Sequence, residues 1–369
     1  MGGIEQGTSV RELERSKLIA GLQGEQAQGR LLFAETDHFI VVYRDIPEIY
    51  REFAGWMDTH PAALAQHLEA ELGEAKDLFR VTLQDTFQVV EVKKGGLFSL
   101  GGVHTGGKRR LLSLKEWEHA RFSQVYSRKR RAGFTEPAIY GFAVHEAIGH
   151  GVIERALFGD EVFRKAPNKI SPELDFFLEG IATYTQYSLS GVDPHDYMRQ
   201  AMLDAALLRF TDLTGRWRLG TLPEDEMIEH VRRFSRNDGF SISGVFKLQQ
   251  RGEGRGESQD TTDKVDLKAL FAKYSRGGSF VKFLIDRYGV EAFKQFSRQA
   301  SSGDFFASLV QVTGRTVEAI EREWKEAVLT DAFLYNPMIE AAERGLSAGR
   351  RSELETQRRS ILDVYREYS

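Results

Sequence analysis

The stretch Gly141-Phe-Ala-Val-His-Glu-Ala-Ile-Gly-His-Gly151 constrains this chain more than any other. Phe142, Val144, Ile148 and Val152 read as core positions of a helix, yet the same segment carries His145, Glu146 and His150. In a regular α-helix, positions five apart point about 140° from one another, so the two imidazoles would diverge. A single-turn π-bulge would absorb the extra residue and bring them to one side, and Gly149 makes that distortion less costly. Two readings follow. The histidines are unrelated members of an amphipathic helix, or they are paired ligands. Imidazole is a common metal ligand, and a carboxylate beside it can serve as a general base.

The 369 residues suffice for a sizeable core and two or three subdomains. With 41% hydrophobic and 28% charged residues, the composition is that of a globular protein. A net charge of −4 argues against general binding to nucleic acid, and no apolar run approaches a membrane span. The basic clusters Lys108–Arg110 and Arg128–Arg131 read as solvated faces. Residues 1–29 are polar with no apolar core of a signal peptide, which suggests a cytoplasmic location. There are no cysteines. Disulfides, thiolate nucleophiles and cysteine-bound metals are therefore excluded, and any metal must be held by His, Asp or Glu.

Periodicity divides the chain. Residues 1–29 read as a loose tail or a short helix around Val10–Leu22. A strand is expected at Phe39–Tyr43 and a helix from Pro61 to Phe79, with Leu64, Leu68, Leu72 and Ala75 on its apolar side. Further strands are expected at Thr86–Val92, Leu97–Leu100 and Arg110–Leu114. After about residue 158 only helices are predicted: Asp175–Ser188, Pro194–Arg209, Pro223–Arg233, Leu267–Tyr288, Val290–Ala300, Phe305–Val312, Thr316–Leu329 and Arg351–Tyr368. Residues 250–266 are polar and glycine-rich and read as a surface loop. The expected organisation is a tail (1–29), an α/β part (30–158) ending in the histidine helix, a helical part (159–349) and a C-terminal helix (350–369).

Glu179 lies in the apolar run Phe177-Leu-Glu-Gly-Ile-Ala-Thr-Tyr184, near the start of a predicted helix. An unpaired carboxylate buried there would be costly, a cost that a metal or a hydrogen-bond network would remove. A helix-start glutamate with its head in solvent is the plainer alternative. H-E-x-x-x-H followed by L-E-G-x-A-x-Y resembles the gluzincins, zinc peptidases with a glutamate third ligand. Tyr274-Ser-Arg-Gly-Gly-Ser-Phe280 is similar to the Tyr-x-Lys-Gly-Ala segment of the M1 aminopeptidases, and the helices to Trp324 are similar to the helical tail of such domains. The resemblance spans roughly residues 30–330, with three motifs in order. The first motif is one residue longer than H-E-x-x-H and fits the H-E-x-x-G-H form of dipeptidyl peptidase III, whose second motif differs. A similar string in the modulator-of-gyrase metalloproteases is accompanied by a cysteine ligand that this chain lacks. The resemblance is thus to the gluzincins as a group.

That resemblance implies a zincin-like α+β fold, in which a small mixed sheet with helices packs against a mainly helical part around an active-site cleft. It implies one Zn²⁺ per chain on His145, His150 and Glu179, with Glu146 as general base and Tyr274 as oxyanion donor. The substrate would be a peptide or protein. Asp175, one turn before Glu179, is a candidate partner of a metal ligand. Gly101, Gly102 and Val103 are candidates for pairing with an extended substrate backbone. A catalytically silent scaffold of the same fold is the main alternative. A zinc hydrolase of non-peptide amides is another. No feature sets an oligomeric state.

Overall fold

The computed structural model describes residues 10–44, 61–82, 87–93, 109–113, 141, 143–159, 171–207, 267–343 and 345–368. Four strands, β1 (Leu31–Glu35), β2 (Phe39–Arg44), β3 (Gln88–Lys93) and β4 (Arg109–Ser113), form one sheet in the order β1-β2-β3-β4. β1 and β2 are antiparallel with Phe33 opposite Val42, whereas β2–β3 and β3–β4 are parallel. Such parallel neighbours need a crossover, and α2 (Pro61–Phe79) lies in the β2–β3 connection.

Alternation along β2 sends its side chains to two different layers. Phe39, Val41 and Tyr43 join Leu64, Leu68, Leu72 and Phe79 of α2 in the main core, while Ile40 and Val42 join Leu31 and Val89 on the opposite face. That second face is covered by α1 (Val10–Ala27) through Leu22, with Leu18 and Ile19 beside it. Arg15 fastens the helix through hydrogen bonds to the Thr36 and Asp37 carbonyls. Of the two expectations for this segment the helix holds, extended to Ala27 and docked on the sheet, and the loose tail does not for residues 10–27. The reason is the exposed apolar face of a sheet that would otherwise face water.

Beyond the sheet come the π-helix Val144–Ile153, continuous with α3 (Glu154–Phe158), and then α4 (Pro172–Leu189) and α5 (Pro194–Leu207). The C-terminal part holds α6 (Leu267–Tyr288), α7 (Val290–Ser302), α8 (Phe305–Thr313), α9 (Val317–Val328), a 3₁₀ turn (Asp331–Phe333), α10 (Pro337–Ala342) and α11 (Ala348–Tyr368). The fold is therefore α+β, with a small mixed sheet and many helices. Gly289, at φ 85°, lets α6 end and α7 begin at once. Thr316 and Asp304 cap α9 and α8, each accepting the amide hydrogen of the residue three positions on.

One apolar cluster runs from β2 through the π-helix to α11, with Phe177, Phe293, Phe296 and Phe305 at its centre and Tyr365 near its end. The expected α/β and helical parts thus share a core. A polar knot joins α5, α6 and α9. Trp324 Nε1–H donates to Ser279 Oγ at 3.0 Å, and that hydroxyl lies 2.8 Å from His195 Nδ1. Arg199 donates to the carbonyls of Ala327 and Val328, where a cation suits the C-terminal end of α9. Among the described residues no helix is long and apolar enough to cross a membrane. The expected strand Leu97–Leu100, the helix Pro223–Arg233 and the loop 250–266 lie outside the described residues.

Candidate metal centre

The histidine helix departs from α geometry over its whole length, since all ten residues from Val144 to Ile153 are π-helical. A single-turn bulge was expected, and the observed segment is longer. At roughly 4.4 residues per turn, positions five apart differ by only about 50° in direction. His145 and His150 therefore share a side, with ring centroids 4.9 Å apart and planes at 82°. A Cβ at Gly151 would lie 3.4 Å from the Glu146 carbonyl oxygen in the turn before it, an ordinary contact. A Cβ at Gly149 would lie 2.6 Å from the Ala182 Cα of α4, so Gly149 lets the two helices meet backbone to backbone.

α4 brings Glu179 to the same place. Ser171 caps this helix by accepting the Leu174 amide hydrogen at 3.2 Å, and Pro172 follows at its first position. The helix begins earlier than the periodicity predicted, which places Glu179 well inside it rather than near its start. Glu179 Oε2 lies 3.3 Å from His145 Nε2 and 3.3 Å from His150 Nε2. The three donor atoms fall within 4.8 Å of one another. With bonds of about 2.0–2.1 Å, the edge of a tetrahedron around a zinc-sized ion is about 3.3–3.4 Å. Two nitrogens and one carboxylate oxygen thus stand at spacings that would suit a metal ion. The side chains of His145 and His150 are 6% and 11% accessible and that of Glu179 is 18% accessible, so the group is buried but not sealed.

The third helix is α6. Gly180 and Gly277 let it touch α4, since a Cβ on Gly180 would sit 2.6 Å from the Gly277 carbonyl oxygen. Three residues before Gly277, Tyr274 stacks edgewise on His145, with ring centroids 5.7 Å apart at 66°. Burial raises the affinity of its phenol for the proton, and the charges of Glu179, Glu146 and Asp175 add to this. The hydroxyl therefore stays protonated as a hydrogen-bond donor. Glu146, next to His145, is buried within the same charge cluster.

Glu154 was not anticipated. Its carboxylate Oε1 lies 2.5 Å from His150 Nδ1, the ring nitrogen turned away from Glu179, and the residue is 1% exposed. Burial works against a charged imidazole at His150, but Glu154 and then Glu179 outweigh it and push its pKa up to about 10. A field that holds a proton so firmly favours positive charge at this point. The available signal was the four-residue step from His150 to Glu154, one turn along the same helix face. Asp175, expected beside a ligand, lies one turn before Glu179 on α4, and its charge reaches Tyr274. Glu154 places a carboxylate on the His150 imidazole. Gly101, Gly102 and Val103 lie outside the described residues.

Comparison with known proteins gave no match, whether to a protein-family model, a curated protein or a solved structure.

Proposed function

We propose that this protein is a zinc-dependent hydrolase of peptide bonds. The observation that carries the reading is the convergence of His145 Nε2, His150 Nε2 and Glu179 Oε2 beside a buried carboxylate and a protonated phenol. Zinc favours such a nitrogen and oxygen donor set, and when bound it supplies an acidified water and polarises a carbonyl. The order of His145, His150, Glu179 and Tyr274 along the chain also resembles that of the gluzincins. The longer H-E-x-x-x-H spacing, the main feature favouring a silent scaffold, is absorbed by the π-helix.

The protein's own groups then have distinct tasks. Glu146 takes a proton from the attacking water and delivers it to the amine nitrogen as the carbon–nitrogen bond breaks. Tyr274 donates its hydroxyl hydrogen to the oxygen on which negative charge develops. Because burial, and then the surrounding carboxylates, keep that phenol protonated, the donor is in place before substrate arrives.

The test is elemental analysis of the wild-type protein and His150→Ala side by side, followed by peptide-cleavage assays. About one zinc per chain, lost in the variant, is expected. Glu146→Gln is expected to retain the zinc and to lose turnover by about 10²–10⁴-fold. No metal uptake by the wild-type protein, or full activity of Glu146→Gln, would refute the assignment.

A further inference from the structure

We propose that Glu154 is a positioning residue of this metal centre, holding His150 in the tautomer and orientation that present Nε2 to the cation. The inference rests on the reading of His145, His150 and Glu179 as metal ligands. It does not require that the substrate be a peptide.

Geometry carries it. An imidazole can bind a metal through Nε2 only if that nitrogen has no hydrogen, so the hydrogen must sit on Nδ1. Glu154 Oε1, 2.5 Å from Nδ1, is placed to accept it. On the other side of the ring, Nε2 points to Glu179 Oε2 at 3.3 Å. The His150 ring is therefore gripped along one line, with Glu154 at one end and the ligand atoms at the other.

The backbone fixes the grip. Glu154 is the first residue after the π-helix, and its amide hydrogen is accepted by the Gly149 carbonyl five positions back. The turn that sets the direction of His150 therefore also sets that of Glu154. At 1% exposure the carboxylate has exchanged water for the imidazole, a position that would be costly without such a partner. Together Glu154 and Glu179 set two carboxylates about one imidazole, a charge that suits a divalent ion better than a monovalent one.

Zinc affinity is the direct measurement, read by competition against a chromophoric chelator for the wild type, Glu154→Gln and Glu154→Ala. Removing such a supporting partner weakens metal binding by about 10–100-fold, and that loss is expected for Glu154→Ala. Glu154→Gln keeps the shape and an accepting oxygen but not the charge, so it should fall between the other two. Cobalt-substituted proteins should show visible bands shifted in the same order, because the ligand field of His150 depends on the partner of its Nδ1. The melting temperature of the metal-free proteins reports any purely structural effect. If Glu154→Ala does not fold, Glu154→Gln carries the test through its zinc affinity and cobalt spectrum. Zinc affinities of the folded variants within about twofold of the wild type would overturn the proposal, whatever the melting temperatures do. Failure of the wild type to bind zinc would overturn both this proposal and the peptidase reading. Weakened zinc binding in the variants, with no peptide cleavage by the wild type, would uphold the role of Glu154 and remove only the peptidase reading.

Discussion

Replacing Gly180 by alanine tests whether the centre depends on backbone contact between α4 and α6. The new Cβ would stand 2.6 Å from the Gly277 carbonyl oxygen, 2.8 Å from its carbon and 3.0 Å from its Cα. All three obstacles are backbone atoms, so no rotamer change relieves them. To regain an ordinary contact of 3.4 Å the helices must separate by about 0.8 Å at this point. That gap would loosen the packing of Phe176 on Phe280, whose rings now sit 6.3 Å apart. Overpacking of this kind costs about 1–3 kcal/mol, and the rigid obstacles place this case near the top of the range. Alanine returns up to about 1 kcal/mol of helix propensity, which leaves a net loss of about 2 kcal/mol. Gly73 in α2 is the matched control, because a Cβ there meets nothing within 4 Å and Gly73→Ala keeps only the propensity gain. In urea unfolding followed by circular dichroism, the two variants should therefore differ by about 3 kcal/mol. Since Glu179 precedes Gly180, zinc affinity should fall in Gly180→Ala and hold in Gly73→Ala. Stabilities within about 0.5 kcal/mol of each other would refute the reasoning.

Two other predictions concern the chemistry and the polar knot. Tyr274→Phe should keep the metal and the fold while lowering turnover by about 10²–10³-fold, read by steady-state kinetics alongside zinc content. Unchanged turnover would remove the phenol from the mechanism. His195 is held down to about 3, first by burial and then by Arg199 and Lys282, with Asp193 opposing. Its folded pKa is below its unfolded one, so its share of stability is complete above about pH 6.5 and is lost as the pH falls towards 3, by up to about 1.4 kcal/mol per unit. His195→Asn, whose amide oxygen can still pair with Ser279, should flatten that acid-side decline in unfolding free energy. An identical pH dependence in the two proteins would refute the assignment.

Much of this was readable from periodicity. β2 and the helices from Leu267 to Val328 stand in the fold at nearly their expected bounds, and each contributes apolar residues to a buried cluster. β1 has no separate signal in the sequence, since it takes its place through pairing with β2 and the cover of α1. The early start of α4 was visible in Ser171-Pro172, a cap and a first-position proline, but the hydrophobic period alone begins later.

The three candidate ligands stand out in the sequence and their geometry does not, for a physical reason. Whether a helix closes its hydrogen bonds at four or five residues is a small local difference that the hydrophobic period does not report. Gly149 must lie against Ala182 for α4 to cross the π-helix, and Gly180 must lie against Gly277 for α6 to cross α4. Gly149 adjoins the candidate ligand His150, and Gly180 adjoins the candidate ligand Glu179. The small residues of G-H and E-G-x-A therefore allow the close helix approach within which Glu179 lies 3.3 Å from each imidazole. A larger residue at Gly149 would push α4 outward and carry Glu179 away from both imidazoles. Metal affinity should accordingly depend on side chains that never touch the metal.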